Sequence, residues 1–496
     1  MRKRTLLFVV ALLTALPMAA QTSYILTTSP TNAQSVVDSH GLTVVKELFD
    51  GVNCVMLVSS PSANVTGVET DVESDLKVVS FEPQQNLTLP ELSGATQATL
   101  TQSTTGILDS LVGRTLVTFY GSTVPSNYTT QTATSIIRLG DARTATSLTG
   151  SGVVAIIDTG ADTGHPALTG VLVPGYDFTR DTPGASELAD LNPAMAAALQ
   201  QSTTGILDAQ NILIVNNAAA AILSQSTTGI LDQSTTGILD SSLGEFGHGT
   251  MVAGIVHLVA PTAKIMPLKA FHADGSSNLS DIIRAIYYAA DNGASVISMS
   301  FSISQPSPGL QAAVQYALNK NVILVAASGN DGLKTLVYPA SYGGVQGIGS
   351  STSSDTKSTF SNFGSGVVTF AAPGEGVITT YPGGNYAAGW GTSFSAPMLS
   401  GAAALVLQAR PTAKPGDITN ALSKTKQISD MGYGRIDLFA SLTNLVNSSG
   451  SSTSTPGSTS STSGSSTTTS SSPSTTSSTI STSSTSGSTS GGPAHP

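Results

Sequence analysis

Three residues in this sequence have the side chains that acyl transfer needs. Ser393 stands in Gly391-Thr392-Ser393-Phe394-Ser395-Ala396-Pro397, between a glycine turn and the small, apolar run Leu399-Ser400-Gly401-Ala402-Ala403-Ala404-Leu405-Val406-Leu407. A hydroxyl at the start of such a buried helix meets unpaired N–H groups and the positive end of the helix dipole, both of which favour developing negative charge. Pro397 removes the N–H that would bond the Ser393 carbonyl, so the first turn should bend there. His248, in Phe246-Gly247-His248-Gly249-Thr250, offers a base whose ordinary pKa lies near neutrality. Asp158, which closes the run Val153-Val154-Ala155-Ile156-Ile157, has the charge to hold an imidazole in one tautomer and stabilise its charged form. Singly, each has an ordinary structural explanation: a helix cap, a turn former and a structural histidine. Together they supply a nucleophile, a base and an orienting acid, in the chain order Asp, His, Ser.

Such a trio needs a scaffold that brings it together, and the hydrophobic pattern provides one. Val153–Ile157, Val296–Met299 and Val322–Val325 are continuous apolar runs, as strands buried on both faces should be. Helical patterns lie around them at Met251–Leu258, at Leu279–Asp291 with Ile282, Ile283, Ile286 and Tyr287 on one face, and at Leu310–Leu318. Strands alternating with helices predict an α/β domain: a parallel sheet with helices on both faces. Open sheets of this kind carry their functional groups at the carboxyl ends of strands, where Asp158 falls. Residues 182–244 interrupt the rhythm and read as a surface insertion.

Upstream, residues 24–83 alternate strand-like and helix-like stretches and predict a small two-layer α+β module. A Thr/Ser-rich region then runs to about Gly150 and reads as linker with some packed pieces. The octapeptide Gln-Ser-Thr-Thr-Gly-Ile-Leu-Asp begins at Gln102, Gln201, Gln225 and Gln233. Its copies are too few and too scattered for a solenoid, and they predict turn-plus-short-strand insertions. After Asn447 the chain is almost all Ser, Thr, Gly and Pro, a disordered tail expected to act as an extended spacer or glycan-bearing stalk.

Composition narrows the partners. A chain of 496 residues can hold one large domain with appendages, and its net charge of -10 argues against nucleic acid. Met1-Arg2-Lys3-Arg4, the apolar run Leu6–Leu16 and Met18-Ala19-Ala20 have the three zones of a secretory signal peptide, so a secreted or periplasmic location is expected. That run is shorter than the roughly 20 residues a membrane span needs, so no span is expected once the signal is removed. The single cysteine, Cys54, allows no internal disulfide.

With these residues in view, residues 135–443 resemble a subtilisin-like serine protease (a subtilase). The matching stretches are Val154–Gly160, Gly247–Gly254, Ala326-Ala327-Ser328-Gly329-Asn330, Tyr338-Pro339-Ala340 and Gly391–Pro397. The resemblance implies a subtilisin-like fold and a secreted endopeptidase that cuts peptide bonds through an acyl-enzyme. Ser393 would be the nucleophile, His248 the base and Asp158 its partner, with the Asn330 side chain and the Ser393 N–H as oxyanion donors. Ser300, Phe301 and Ser302 with Ala327, Ser328 and Gly329 would form two backbone edges binding an extended protein or peptide substrate. Ser302 stands where many relatives have glycine and should narrow the first pocket. Residues 24–83 are similar to the family's inhibitory propeptide, which implies a self-processing precursor, or zymogen. The implied boundaries are 1–20 for the signal, 21–86 for the propeptide, 87–130 for the linker, 131–446 for the peptidase domain and 447–496 for the tail.

The departures concern ions rather than chemistry. His165-Pro166-Ala167-Leu168 lacks the carboxylate that many relatives use as a calcium ligand, and His257-Leu258-Val259-Ala260-Pro261 runs on without the family's longer calcium loop. The family's strong calcium site is therefore not expected, a weaker structural site stays open, and the chemistry requires no cofactor. Met251 and Met398 replace histidines common in the family. Two other readings compete: a catalytically silent adhesion or scaffolding protein, suggested by the tail and repeats, and an esterase of another α/β fold. The second fits less well, because the serine motif is not G-x-S-x-G and the triad order differs.

Overall fold

The alternating patterns at the N-terminal end form a two-layer module. Strands β1 (Thr22–Thr28), β2 (Thr43–Asp50), β3 (Cys54–Ser60) and β4 (Val78–Pro83) make an antiparallel sheet in the order β2-β3-β1-β4, joined by helices α1 (Ala33–Ser39) and α2 (Val65–Glu73). Side chains alternate across a strand, so β1 serves two cores. Tyr24 and Leu26 pack with Val36, Val72 and Phe81 inside the module. Ile25 turns the other way, with Leu48 and Val55, into the core of the following domain. Strand β5 (Asn86–Thr88) ends the module. The computed structural model describes residues 22–62, 64–89, 115–193, 206–207, 213–215 and 245–450. The signal segment, most of each octapeptide and the tail beyond Gly450 lie outside the described residues.

The elements of the large domain follow in order: β6 (Val153–Asp158), β7 (Tyr176–Asp177), β8 (Thr182–Pro183), α3 (His248–Val259), β9 (Lys264–Lys269), β10 (Ser276–Asn278), α4 (Leu279–Asp291), β11 (Val296–Met299), α5 (Pro308–Asn319), β12 (Ile323–Ala327), β13 (Val345–Ser351), β14 (Phe370–Pro373), β15 (Val377–Tyr381), β16 (Asn385–Gly389), α6 (Thr392–Ala409), β17 (Thr425–Lys426), β18 (Arg435–Ile436) and α7 (Leu438–Gly450). One sheet runs β8-β7-β9-β6-β11-β12-β13-β14-β18-β17. Only its two outermost pairs are antiparallel; the interior pairs are parallel. From β6 the chain passes to β9 on one side and then to β11 on the other. That reversal of strand order opens a crevice at the carboxyl ends of β6 and β11.

Helices cover both faces because the strands are apolar on both. Val154 and Ile156 face a core shared with α3 and α6, whereas Ala155 and Ile157 face a core shared with α4 and α5. Helix α6 is buried from Thr392 through Leu407, as its all-round apolar sequence requires. Strands β15 and β16 form a separate antiparallel sheet, extended by Leu213–Val215 and then Ile206–Leu207. Ile206–Leu207 belongs to the second octapeptide, where a short strand was expected.

Three sequence expectations need correction. Residues 115–130, among the packed pieces expected within the linker, belong with the large domain rather than before its expected boundary at 131: Val124 and Tyr128 are fully buried, and the Tyr128 hydroxyl donates to the Gly254 carbonyl of α3 (2.7 Å). Aromatic anchors hold this piece in place of the aliphatic periodicity that would have announced it. Residues 182–190, read as the start of a surface insertion, include Glu187 at 0% exposure. Finally, α7 continues to Gly450, so the tail boundary at 447 falls inside its last turn.

Candidate active site

Asp158 is the last residue of β6, 1% exposed at the crevice. Its Oδ1 accepts from His248 Nδ1 at 2.7 Å and from the Thr159 backbone N–H at 2.8 Å. His248 is the first residue of α3, and the glycines beside it explain how the helix can start there. Gly247 has φ +97°, and a Cβ on it would lie 2.2 Å from the Tyr381 ring. A Cβ on Gly249 would lie 2.0 Å from the Gly160 carbonyl oxygen. Only glycine lets the helix start approach the loop after Asp158 this closely. Burial pulls the His248 imidazole down, but the charge and hydrogen bond of Asp158, with Glu245 and Glu187 behind, outweigh it and raise its pKa to about 9.

Ser393 is 3% exposed in the first turn of α6. Its Oγ donates to the Ser300 carbonyl (3.1 Å), and the Ser300 hydroxyl donates to the Ser393 carbonyl (3.0 Å). The aspartate and the histidine are thus joined, while the serine hydroxyl points to the end of β11. His248 and Phe394 meet edge to face, with ring centroids 5.7 Å apart, so the imidazole borders the first turn of α6. Asn330, 4% exposed, accepts at Oδ1 from both the Thr392 N–H and the Thr392 hydroxyl, each at 2.9 Å. This fixes the amide so that Nδ2 is its donor end, next to Gly391.

The expected substrate edges leave neighbouring strands, β11 and β12. Ser300, Phe301, Ala327 and Ser328 are at most 1% exposed, so their side chains are structural and only their backbone could meet a ligand. Phe301 packs on Phe271, and the Ser328 hydroxyl donates to the Asn362 carbonyl. Ser302 faces Gly329: a Cβ built on Gly329 would lie 3.3 Å from Ser302 Oγ. The sequence reading missed another edge, β10, where β5 of the N-terminal module pairs antiparallel: Ser276 with Thr88, Ser277 with Leu87 and Asn278 with Asn86. The Leu89 N–H continues the ladder to the Gly275 carbonyl (2.9 Å). The polar stretch Gly275–Asn278 gave no strand signal of its own.

Met251 and Met398, which replace the expected histidines, are fully buried core residues. Among the described residues, no group of three or more His, Cys, Asp or Glu side chains is arranged to hold a metal ion.

Comparison with known proteins identifies a family. The family model described as "Subtilase family" matches residues 150–440. The chain is 36% identical over 215 residues to subtilisin BL of Lederbergia lenta, covering 42% of this chain and 77% of that protein. It is equally identical over 215 residues to the M-protease of Shouchella clausii, but there the match covers 55% of the relative. In fold, it resembles fervidolysin from Fervidobacterium pennivorans, described as a keratinolytic enzyme related to subtilisin, with a TM-score of 0.56 at 21% identity over 85% of this chain and 61% of that one. An aspartate closing a parallel strand, a histidine opening one buried helix and a serine opening another are set in a match spanning more than half the sequence, and the chain belongs to the subtilase family of subtilisin-like serine proteases.

Proposed function

We propose that this chain is a secreted serine endopeptidase made as a self-processing precursor, with Asp158, His248 and Ser393 as its catalytic triad. The observation that carries the reading is the buried 2.7 Å contact between Asp158 and His248 at the crevice. It leaves Nε2 as the basic nitrogen, the one that must take the serine proton. For the reaction, the Ser393 hydroxyl must leave the Ser300 carbonyl and present Oγ to that nitrogen. Ser393 then attacks the scissile carbonyl as His248 takes its proton, and His248 returns the proton to the leaving amine. Asn330 Nδ2 and the Ser393 N–H are the donors proposed for the tetrahedral oxyanion. An extended substrate would add as a strand against backbone edges, with Ser302 narrowing the first pocket.

The precursor reading is supported by how the N-terminal module is held. Its strand β5 lies against β10 as a substrate strand would. The Glu82 carboxylate caps helix α5, accepting from the Ser307 hydroxyl (2.8 Å) and the Gly309 N–H (2.7 Å). Phe49 stacks on Tyr287, with centroids 3.9 Å apart, and meets the edge of Tyr316. The partners proposed are protein or peptide substrates and the chain's own propeptide. The signal-type segment supports secretion; among the described residues, no helix is long and apolar enough to cross a membrane. The test uses an active-serine phosphonylating reagent: wild type should be labelled at Ser393 and should mature unaided, whereas Ser393→Ala should do neither. An unlabelled wild type would refute the triad. A Ser393→Ala precursor that matures alone would refute self-processing.

A further inference from the structure

Helix α3 carries His248 but has no cap of its own. Gly247, at its N-cap position, offers no side-chain acceptor, and space and φ forbid any larger residue there. The first N–H groups of a helix need partners, and when buried they must find them in the protein. Here the partner comes from a 3-10 turn, Glu187–Asp190, far away in sequence. Glu187 Oε1 accepts from the Gly247 N–H (2.7 Å) and from the Thr159 hydroxyl. Its Oε2 accepts from the Thr250 N–H (3.2 Å) and the Thr250 hydroxyl (2.5 Å). Thr159 Oγ1 in turn accepts from the Gly249 N–H (2.9 Å), so a third helix N–H joins the same network.

The turn that carries Glu187 is itself fixed to the loop after Asp158. The Ala161 N–H donates to the Ala185 carbonyl, and the Glu187 N–H donates to the Ala161 carbonyl. Asp190, on the same turn, pairs with the fully buried Lys269 (2.6 Å) and with Arg180, which also pairs with Asp177. Lys269 spans the gap by donating to the carbonyls of Thr159 and Phe271. The charged groups around the imidazole are thus Asp158, Glu187 and Glu245, with Lys269 acting on Glu187 from β9. A carboxylate here is fully buried, which is costly unless it is well satisfied, and four donors satisfy it.

We propose that Glu187 is a positioning residue for the triad: its carboxylate is the distant cap of α3 that locks His248 against Asp158 and favours the imidazolium formed during turnover. This rests on the triad reading and assigns it a further part, from a segment whose sequence looks like a surface insertion. Negative charge at a helix N-terminus is favourable in any helix. Here it also sits behind the one imidazole that must gain a proton in each cycle.

Two variants separate charge from reach. Glu187→Gln keeps the shape but loses the charge, and its amide turns an N–H donor toward the donors of α3. Glu187→Asp keeps the charge but is too short to hold both oxygens in place. The rate should be measured per serine titrated by the phosphonylating reagent, across pH. In wild type, kcat/KM should climb with pH until His248 deprotonates at about 9. For Glu187→Gln, kcat should fall roughly 10–100-fold with little change in KM, and the midpoint should move down by a few tenths to about one pH unit. For Glu187→Asp, kcat should fall while the midpoint stays near that of wild type. Reagent-labelled wild type together with wild-type kcat and midpoint in both variants would overturn the role of Glu187 and leave the triad intact. If Glu187→Gln does not fold, the aspartate variant decides alone: unchanged kcat overturns the proposal. A wild type that the reagent does not label would instead overturn the triad, and this proposal with it.

Discussion

Replacing His257 with leucine should make this protein more resistant to acid. His257 lies on α3 at 2% exposure, and neither ring nitrogen has a hydrogen-bond partner. The Phe119 ring meets it edge to face at 5.2 Å. Burial, with the positive charge of Arg143 and then His165 nearby, lowers its pKa to about 4. A histidine held below its ordinary value binds its proton first in the unfolded chain. Its contribution is therefore fully present above pH 6.5, and stability is lost as pH falls from 6.5 toward about 4. A shift of this size corresponds to about 3 kcal/mol, most of it felt by about pH 4.5. Leucine removes that liability and also the two orphaned nitrogens, each a buried polar group costing on the order of 1 kcal/mol or more. The measurement is the urea midpoint of His257→Leu against its parent, both in a Ser393→Ala background that prevents autolysis. The variant's advantage should grow by about 2–3 kcal/mol between about pH 7.5 and about pH 4.5. An equal advantage at both pH values would refute the reasoning.

Two further outcomes follow from contacts in the site and the N-terminal module. Asp158→Asn should lower kcat on the order of 10⁴-fold with KM nearly unchanged, because the amide can stabilise the wrong imidazole tautomer; steady-state kinetics showing less than about tenfold would contradict that role. Glu82→Ala removes the acceptor for Ser307 and Gly309, a loss of about 1–2 kcal/mol or roughly 5–30-fold in the hold of the module. The lag before activity appears in a maturing precursor should shorten accordingly, and an unchanged lag would show that this cap does not restrain the enzyme.

The central strands and helices were legible because burial on both faces forces unbroken apolar runs. Val296–Met299 and Leu279–Asp291 fall at the expected bounds, and β6 extends its run by one residue, Asp158 itself. Strand β9 was not legible, since Lys264, Pro267 and Lys269 break its apolar pattern. The structure shows why these are tolerated: Lys269 is buried on Asp190 and two carbonyls, an arrangement no local pattern announces. Asp158, His248 and Ser393 could be found because each sits in a glycine-marked turn at an element boundary. Glu187 could not, because it is one acid among several in a polar stretch, and only the fold brings it under the helix start. The edge β10 was hidden for a related reason: a short strand held by backbone pairing alone need not show its pattern in its side chains.

On the precursor reading proposed above, the packed stretch after residue 115 bears on where the chain would be cut. Tyr128 is tied to the Gly254 carbonyl of α3, the helix that carries His248, and Gln131 exchanges hydrogen bonds with Ile378 on the adjoining sheet. Severing the chain after these residues would strip anchors from the working enzyme, whereas severing it before Leu89 would leave the strand paired with Gly275–Asn278 in place as a plug. On that reading the bond cut would lie in the stretch 90–114, and the enzyme freed of its module should carry its new amino terminus there.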